Sequence, residues 1–295
     1  MPRVGGEALA IDLAGCGRVA AAAQANGRVV AVDHMLRFAP MILALEHLLA
    51  VEVGGRRVLG PVRRFSFEND AADDDLPPGH WFWDPHRSGG IFVEHGVHFF
   101  DLASSLIGSA AATIQATTLG LRPERRSNTV CATATYASGA TATWYHSFTH
   151  PRRCERQRLR LDLGLAECRL DGWIPLELRL HAFTDADGAA AIGEAVADAP
   201  SAGQEVPVRE VSVESGRVRL RLAHAGSDAK QRVYARCVAD LVGDLLAAID
   251  HRRPPKVGID VATAAVAMAT AAGDDAVSGR TVPLPSANGR WYGHS

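Results

Sequence analysis

The segment Ser88-Gly89-Gly90-Ile91-Phe92-Val93-Glu94-His95-Gly96-Val97-His98-Phe99-Phe100-Asp101 holds the densest set of residues able to do chemistry. On a helix, side chains four apart share a face, so Glu94 and His98 point the same way. A carboxylate beside an imidazole is a general acid/base arrangement, because it fixes the ring tautomer and raises the ring's basicity. Gly89 and Gly90 permit close approach of a ligand to the helix N-terminus. Asp101, three residues beyond His98, is placed to orient that ring from behind. A purely structural use of the same residues is also open, in which His98 and Asp101 form a buried network holding the helix. Glu94, His95 and His98 are three potential metal ligands, but neighbours on one helix diverge and cannot all reach one ion. A metal would need His80 or His146 in addition, so none is assigned.

The surrounding elements follow from apolar spacing. Leu9, Leu13, Cys16, Ala20 and Ala23 read as a helix, and Val29, Val30 and Val32 as a buried strand. Pro40 opens a second helix. From Asp70 to Ser88 the chain is irregular, and the reactive helix follows. After Gly108, strand-like runs succeed one another without intervening helices: 113–119, 129–136, 140–148, 158–163, 176–183 and 206–222. The stretch 186–203 reads as a mobile loop. Helices near 234–249 and 261–275 close the chain. Consecutive strands of this kind imply an antiparallel sheet. The expected fold is α+β: a mostly antiparallel open sheet with helices on one face. A second copy of the chain is expected to cover the bare face, giving a homodimer or higher homo-oligomer.

The chain has 295 residues and a net charge of -2, which gives no global attraction to nucleic acid or anionic membrane. Five scattered cysteines lack C-x-x-C spacing, which argues against a zinc cage or disulfide framework and for a reducing, cytoplasmic setting. No apolar run approaches membrane-spanning length.

In order, Val32-Asp33-His34-Met35-Leu36-Arg37-Phe38-Ala39-Pro40, Leu59-Gly60-Pro61-Val62, Trp81-Phe82-Trp83-Asp84-Pro85 and Glu94-x-x-x-His98-x-x-Asp101 resemble landmarks of the glucose–fructose oxidoreductase and inositol dehydrogenase family, Gfo/Idh/MocA. The run to Gly279-Arg280-Thr281-Val282 resembles that family's last helix and strand. The resemblance implies that His98 is the acid/base acting on a substrate hydroxyl or carbonyl, with Glu94 in place of the family's aspartate. It places His34, Arg37, His80, Trp81 and Trp83 around a sugar pocket, the two indoles suiting carbohydrate C–H faces. Gly89, Gly90, His95 and Asp101 are grouped with the substrate-contacting residues. The family begins with a full Rossmann domain, of which residues 1–36 read as a remnant before a substrate domain at 37–295. Glu7 stands where the family's lysine is expected.

Gly15-Cys16-Gly17-Arg18-Val19-Ala20 fits G-x-G-x-x-A, with Asp33 beyond it, but the helical spacing from Leu9 to Ala23 runs through both glycines. The resemblance implies NAD(P), with no convincing fingerprint for it here. The expectation is an oxidoreductase acting on a sugar, polyol or similar small molecule, with the dinucleotide held by a Rossmann-type partner or a missing region. The alternatives are a nicotinamide-independent lyase or isomerase using Glu94 and His98, and a non-catalytic dimerising paralogue.

Overall fold

The computed structural model describes residues 3–5, 8–120, 127–198, 208–278 and 282–284. Glu7 and residues 279–281 lie outside them. In chain order the main elements are β1 (Arg3–Gly5), α1 (Leu13–Ala25), β2 (Val30–Val32), α2 (Pro40–Leu49), β3 (Glu52–Val53), β4 (Arg56–Arg57), β5 (Val62–Ala72), α3 (Pro85–Ser88) and α4 (Val97–Ile107). There follow β6 (Ala111–Leu119), β7 (Thr129–Tyr136), β8 (Thr141–His150), β9 (Arg156–Leu163), β10 (Ala166–Asp171), β11 (Glu177–Phe183), α5 (Ala186–Asp198), β12 (Val208–Glu214), β13 (Arg217–Ala223), α6 (Ala229–Asp250), α7 (Ile259–Ser278) and β14 (Val282–Pro283). The protein is mixed α and β with mostly antiparallel strands.

The chain divides into two compact units. The first comprises 1–34, 67–156 and 241–295; the second comprises 35–66 and 157–240. In the first, the later part of β5 and strands β8, β7, β6 and β14 lie side by side. The β8–β7, β7–β6 and β6–β14 pairs are antiparallel. Period-two alternation puts Ala142, Trp144, His146 and Phe148 of β8 on one buried face. Helix α4 covers that face: the Trp144 indole donates to the Phe99 carbonyl at 3.1 Å, and its ring meets Phe100 edge-on at 4.7 Å. Phe67 of β5 stacks on Phe99 at 3.6 Å between centroids. Helix α7 packs on α4 and β6. Its buried Asp275 accepts a short hydrogen bond from the Ala116 amide of β6.

At the start of the same unit, β1 and β2 pair in parallel with α1 between them, one βαβ turn. Helix α1 runs through Gly15 and Gly17, as the apolar spacing predicted.

In the second unit, β9, β10, β11, β13 and β12 form an antiparallel run. Two local expectations fail here. Residues 186–198 are not a loop but the helix α5, because alanines with high helix propensity outweigh the two glycines. The run read as one strand at 206–222 is, over its described residues, a hairpin of β12 and β13. Ser215 and Gly216 both have positive φ, the backbone that reverses two twisted strands in two residues. Strand β10 was also not anticipated.

Removing the Asp275 carboxylate leaves the half-buried Ala116 amide without its acceptor. Asp275→Ala should therefore cost about 1–3 kcal/mol in a urea titration, and Asp275→Asn, which keeps an acceptor oxygen, should cost less.

Candidate functional site

The reactive segment begins at a joint between helices. Gly89 ends α3 with φ +75°, and Gly90 follows at φ +84°. A β-carbon on Gly89 would stand 2.7 Å from that of Val93, whereas one on Gly90 would meet nothing within 4 Å. Gly89 is thus demanded by packing and backbone together, Gly90 by backbone alone. The Gly90 carbonyl accepts from the Glu94 amide at 2.9 Å and starts the next helix.

That helix opens with a π-helical turn, Phe92–Gly96, before continuing as α4. Such turns are rare and concentrate at functional sites. A π turn advances less per residue than an α turn. In a regular α-helix four residues overshoot one turn by about 40°; the wider turn shortens that overshoot and brings Glu94 closer to His98's azimuth. From Ile91 to Ile107 nearly every residue is buried, and the partly exposed positions are Glu94, His95, His98 and Ser105. Glu94, His95 and His98 therefore form a partly exposed window in a helix that is otherwise mostly buried, Asp101 included.

Behind the window His34 and Asp101 approach each other. His34, 1% exposed, sits with Nδ1 3.2 Å from Oδ2 of Asp101, which is fully buried. The His34 ring meets His98 edge-on, with centroids 5.2 Å apart. His95 lies 6.5 Å from His98 between centroids and packs against Phe99, Phe148 and His146 at 5.3, 5.4 and 5.2 Å.

His146, on the buried face of β8, was named from the sequence only as a spare metal ligand. A histidine in the apolar stripe Ala142–Trp144–His146–Phe148 was the signal available. Among the described residues neither of its ring nitrogens has a hydrogen-bond partner. Burial pushes its pKa down to about 3, so the ring is neutral. Phe148 was not anticipated. It joins His95 to Phe82 and Trp83, at 4.9 and 6.3 Å.

The aromatic segment before the site is built locally. His80 Nδ1 accepts from the Phe82 amide at 3.3 Å, and the Trp83 indole donates to the Leu76 carbonyl at 3.0 Å. Trp83 is thereby a packing residue with a satisfied donor, while Trp81 is 39% exposed beside His80. Arg37 falls in the second unit, its Nε 3.7 Å from Glu46. Among the described residues no group of three or more His, Cys, Asp or Glu is arranged to hold a metal.

The G-x-G-x-x-A segment does not fit a dinucleotide. Both glycines lie inside α1, whose N-terminus is capped by Asp12 accepting from the Gly15 amide at 2.6 Å. A carboxylate already fills the place where a pyrophosphate would need free amides. Gly15 is small because a β-carbon there would meet that of Ala10 at 2.7 Å.

Comparison with known proteins agrees with this geometry. Residues 51–163, which contain the whole reactive segment, match the family model described as the GFO/IDH/MocA C-terminal domain. This stretch of the chain is a domain of that family. Solved structures with the same fold include a NAD binding oxidoreductase from Klebsiella pneumoniae, 16% identical, TM-score 0.72, covering 96% of this chain and 73% of the other. An aldose-aldose oxidoreductase from Caulobacter crescentus, complexed with glycerol, is 19% identical with TM-score 0.67, covering 95% and 71%. An oxidoreductase from Agrobacterium radiobacter, in complex with NAD+, L-tartaric acid and magnesium, is 16% identical with TM-score 0.66, covering 96% and 73%. No curated protein matches by sequence.

The neutral His146 makes stability depend on pH. The unfolded chain takes up a proton near pH 6.5 that the folded ring refuses until about 3, so folding is weakened as pH falls through that window. This one group should contribute about 1.4 kcal/mol per pH unit there. Urea midpoints measured from pH 7 to 4 should show that slope, and His146→Phe should remove it.

Proposed function

We propose that the chain is the substrate-binding and acid/base part of an oxidoreductase acting on a sugar, polyol or similar hydroxylated small molecule. The observation that carries this reading is the window of Glu94, His95 and His98 in a helix otherwise sealed from water, at a π-helical turn behind a glycine pair. His98 is the group that takes the hydroxyl proton, and Glu94 fixes and tunes it. Trp81 offers an exposed indole face of the kind that stacks on sugar C–H surfaces. The structural neighbours include an aldose-aldose oxidoreductase and an oxidoreductase in complex with NAD+, which supports the same substrate class and a nicotinamide cofactor.

NAD(P), when bound, would supply the hydride acceptor. Helix α1 does not cradle its pyrophosphate, so in this reading the dinucleotide is held by a Rossmann-type partner chain. Residues 1–36, with their βαβ turn, are read as part of the dinucleotide-binding domain, and 37–295 as the substrate domain. The five free cysteines suit a cytoplasmic protein.

A second copy is the proposed homo-oligomeric partner, covering the exposed face of β9–β13. That face forms a hollow of about 1020 Å³ lined by seven arginines together with Glu167 and Glu210. Its acids are tied into the arginine lattice. Glu167 lies 3.7 Å from Arg160 and Glu210 3.3 Å from Arg221.

The test is turnover of a panel of sugars and polyols with NAD+ or NADP+, using the chain alone and with a dinucleotide-binding partner chain. Turnover is expected only with the partner. His98→Asn should lower kcat by about 10²–10⁴-fold, and Glu94→Gln should lower it less. Tight stoichiometric NAD(P) binding by the isolated chain would contradict the reading of α1, and full activity of His98→Asn would contradict the acid/base assignment.

A further inference from the structure

We propose that the exposed face of β9–β13 holds a site for an oligophosphate anion, built on a row of four arginines. The inference is independent of the acid/base reading of His98, and it lies wholly within the second compact unit. One face of these strands is apolar and buried, with Leu159, Leu161, Leu170, Leu178, Leu180 and Leu220. The register fixes what stands on the other. Arg160 lies opposite Arg169, Arg169 opposite Arg179, and Arg179 opposite Arg221. With strands about 4.8 Å apart, four arginines therefore line up over about 14 Å. Their side chains are between 38% and 60% exposed.

Like charges directly opposite one another destabilise a sheet, and no acid stands in the row until Glu210 ends it beyond Arg221. Carboxylates reach the arginines from the rows on either side. Asp171 accepts from Arg158 and Arg169, Glu177 accepts from Arg179 and Arg221, and Glu167 lies 3.7 Å from Arg160. The compensation is incomplete. Seven arginines line the hollow over this face, against Glu167 and Glu210 in its lining and Asp162, Asp171 and Glu177 in the same rows. An excess of two positive charges remains, in a chain whose net charge is -2. Each guanidinium carries five N–H donors in a planar fork that fits phosphate oxygens two at a time. A single phosphate reaches only part of the row and must compete with the carboxylates already there. A chain of phosphates can follow the row, so the arrangement selects for valence. An isologous contact through this face brings two arginine-rich patches together, and an oligophosphate between them favours that contact rather than opposing it.

The test is isothermal titration calorimetry of the full chain with sodium phosphate, pyrophosphate, tripolyphosphate and citrate. Salt at about 0.15 M screens diffuse surface attraction. Affinity should rise from phosphate to pyrophosphate to tripolyphosphate. Arg179→Gln, in the middle of the row, should weaken tripolyphosphate binding by about tenfold or more. Arg179→Lys keeps the charge but loses the fork and should weaken it less. Arg153→Gln removes the same charge from an exposed position outside this unit and should leave the affinity unchanged. Thermal melts by circular dichroism check that each variant is folded, and tripolyphosphate should raise the wild-type Tm. Equal losses from Arg153→Gln and Arg179→Gln overturn the proposal, because they report attraction to net charge alone. Citrate binding as tightly as pyrophosphate overturns the choice of phosphate. A chain that sediments as a dimer and binds no tripolyphosphate has this face closed by a second copy instead, and a monomer that binds none has no such site; either result sinks the proposal.

Discussion

The helix from Ile91 to Ile107 must be buried on almost every side and yet present ionisable groups to water. Its apolar residues lock it to β8, β5 and α7: Phe99 on Phe67, Phe100 on Trp144, and the Phe99 carbonyl on the Trp144 indole. With those sides fixed, the helix has no rotational freedom. The one arc left open carries Glu94, His95 and His98. Catalytic geometry of this type depends on side chains held by packing rather than by their own flexibility. The π-helical turn is the local adjustment that lets a sealed helix keep its core contacts while its polar residues line up.

The second demand is electrostatic. A histidine-rich interior is stable only if each ring is either neutral or compensated. The protein uses both solutions within one unit. His146, among Phe67, Phe99 and His95, is kept neutral by burial. His34 is set against a buried carboxylate. Near a partly exposed His98 these two environments have opposite effects. One contributes apolar bulk without charge, and the other contributes charge without solvent.

The window itself was legible in the sequence, because a four-residue step from Glu94 to His98 is local and the apolar residues around it keep helical period. The antiparallel sheet was legible too, since strand after strand follows without a helix. What could not be read was anything joining distant segments. Asp101 was read with His98 because it is three residues away, and the approach of His34, from the loop after β2, to the same carboxylate had no local signal. Phe148 reaches the site from a strand that local periodicity cannot dock. Composition misled at 186–198, where Ala, Asp and Gly together suggest a loop, although in a packed setting the alanines dominate. The Ser215–Gly216 reversal was missed because Ser at positive φ is an unusual turn signal.

The N-terminal glycines show how a motif is decided by its context. G-x-G-x-x-A binds pyrophosphate only when the glycines make a strand-to-helix turn with free amides at the helix start. Here the chain does contain the strand, helix and parallel strand of one βαβ turn. But the helix begins before the motif, at Asp12, whose carboxylate takes the Gly15 amide. The spacing of glycines is right and their place on the helix is wrong by about one turn. An anion of the protein's own sits where the ligand's would go, and like charges exclude one another there. The same βαβ architecture places α1 against α7 of its own unit while its first amides are taken by Asp12, so an identical glycine spacing offers an anion nothing to bind.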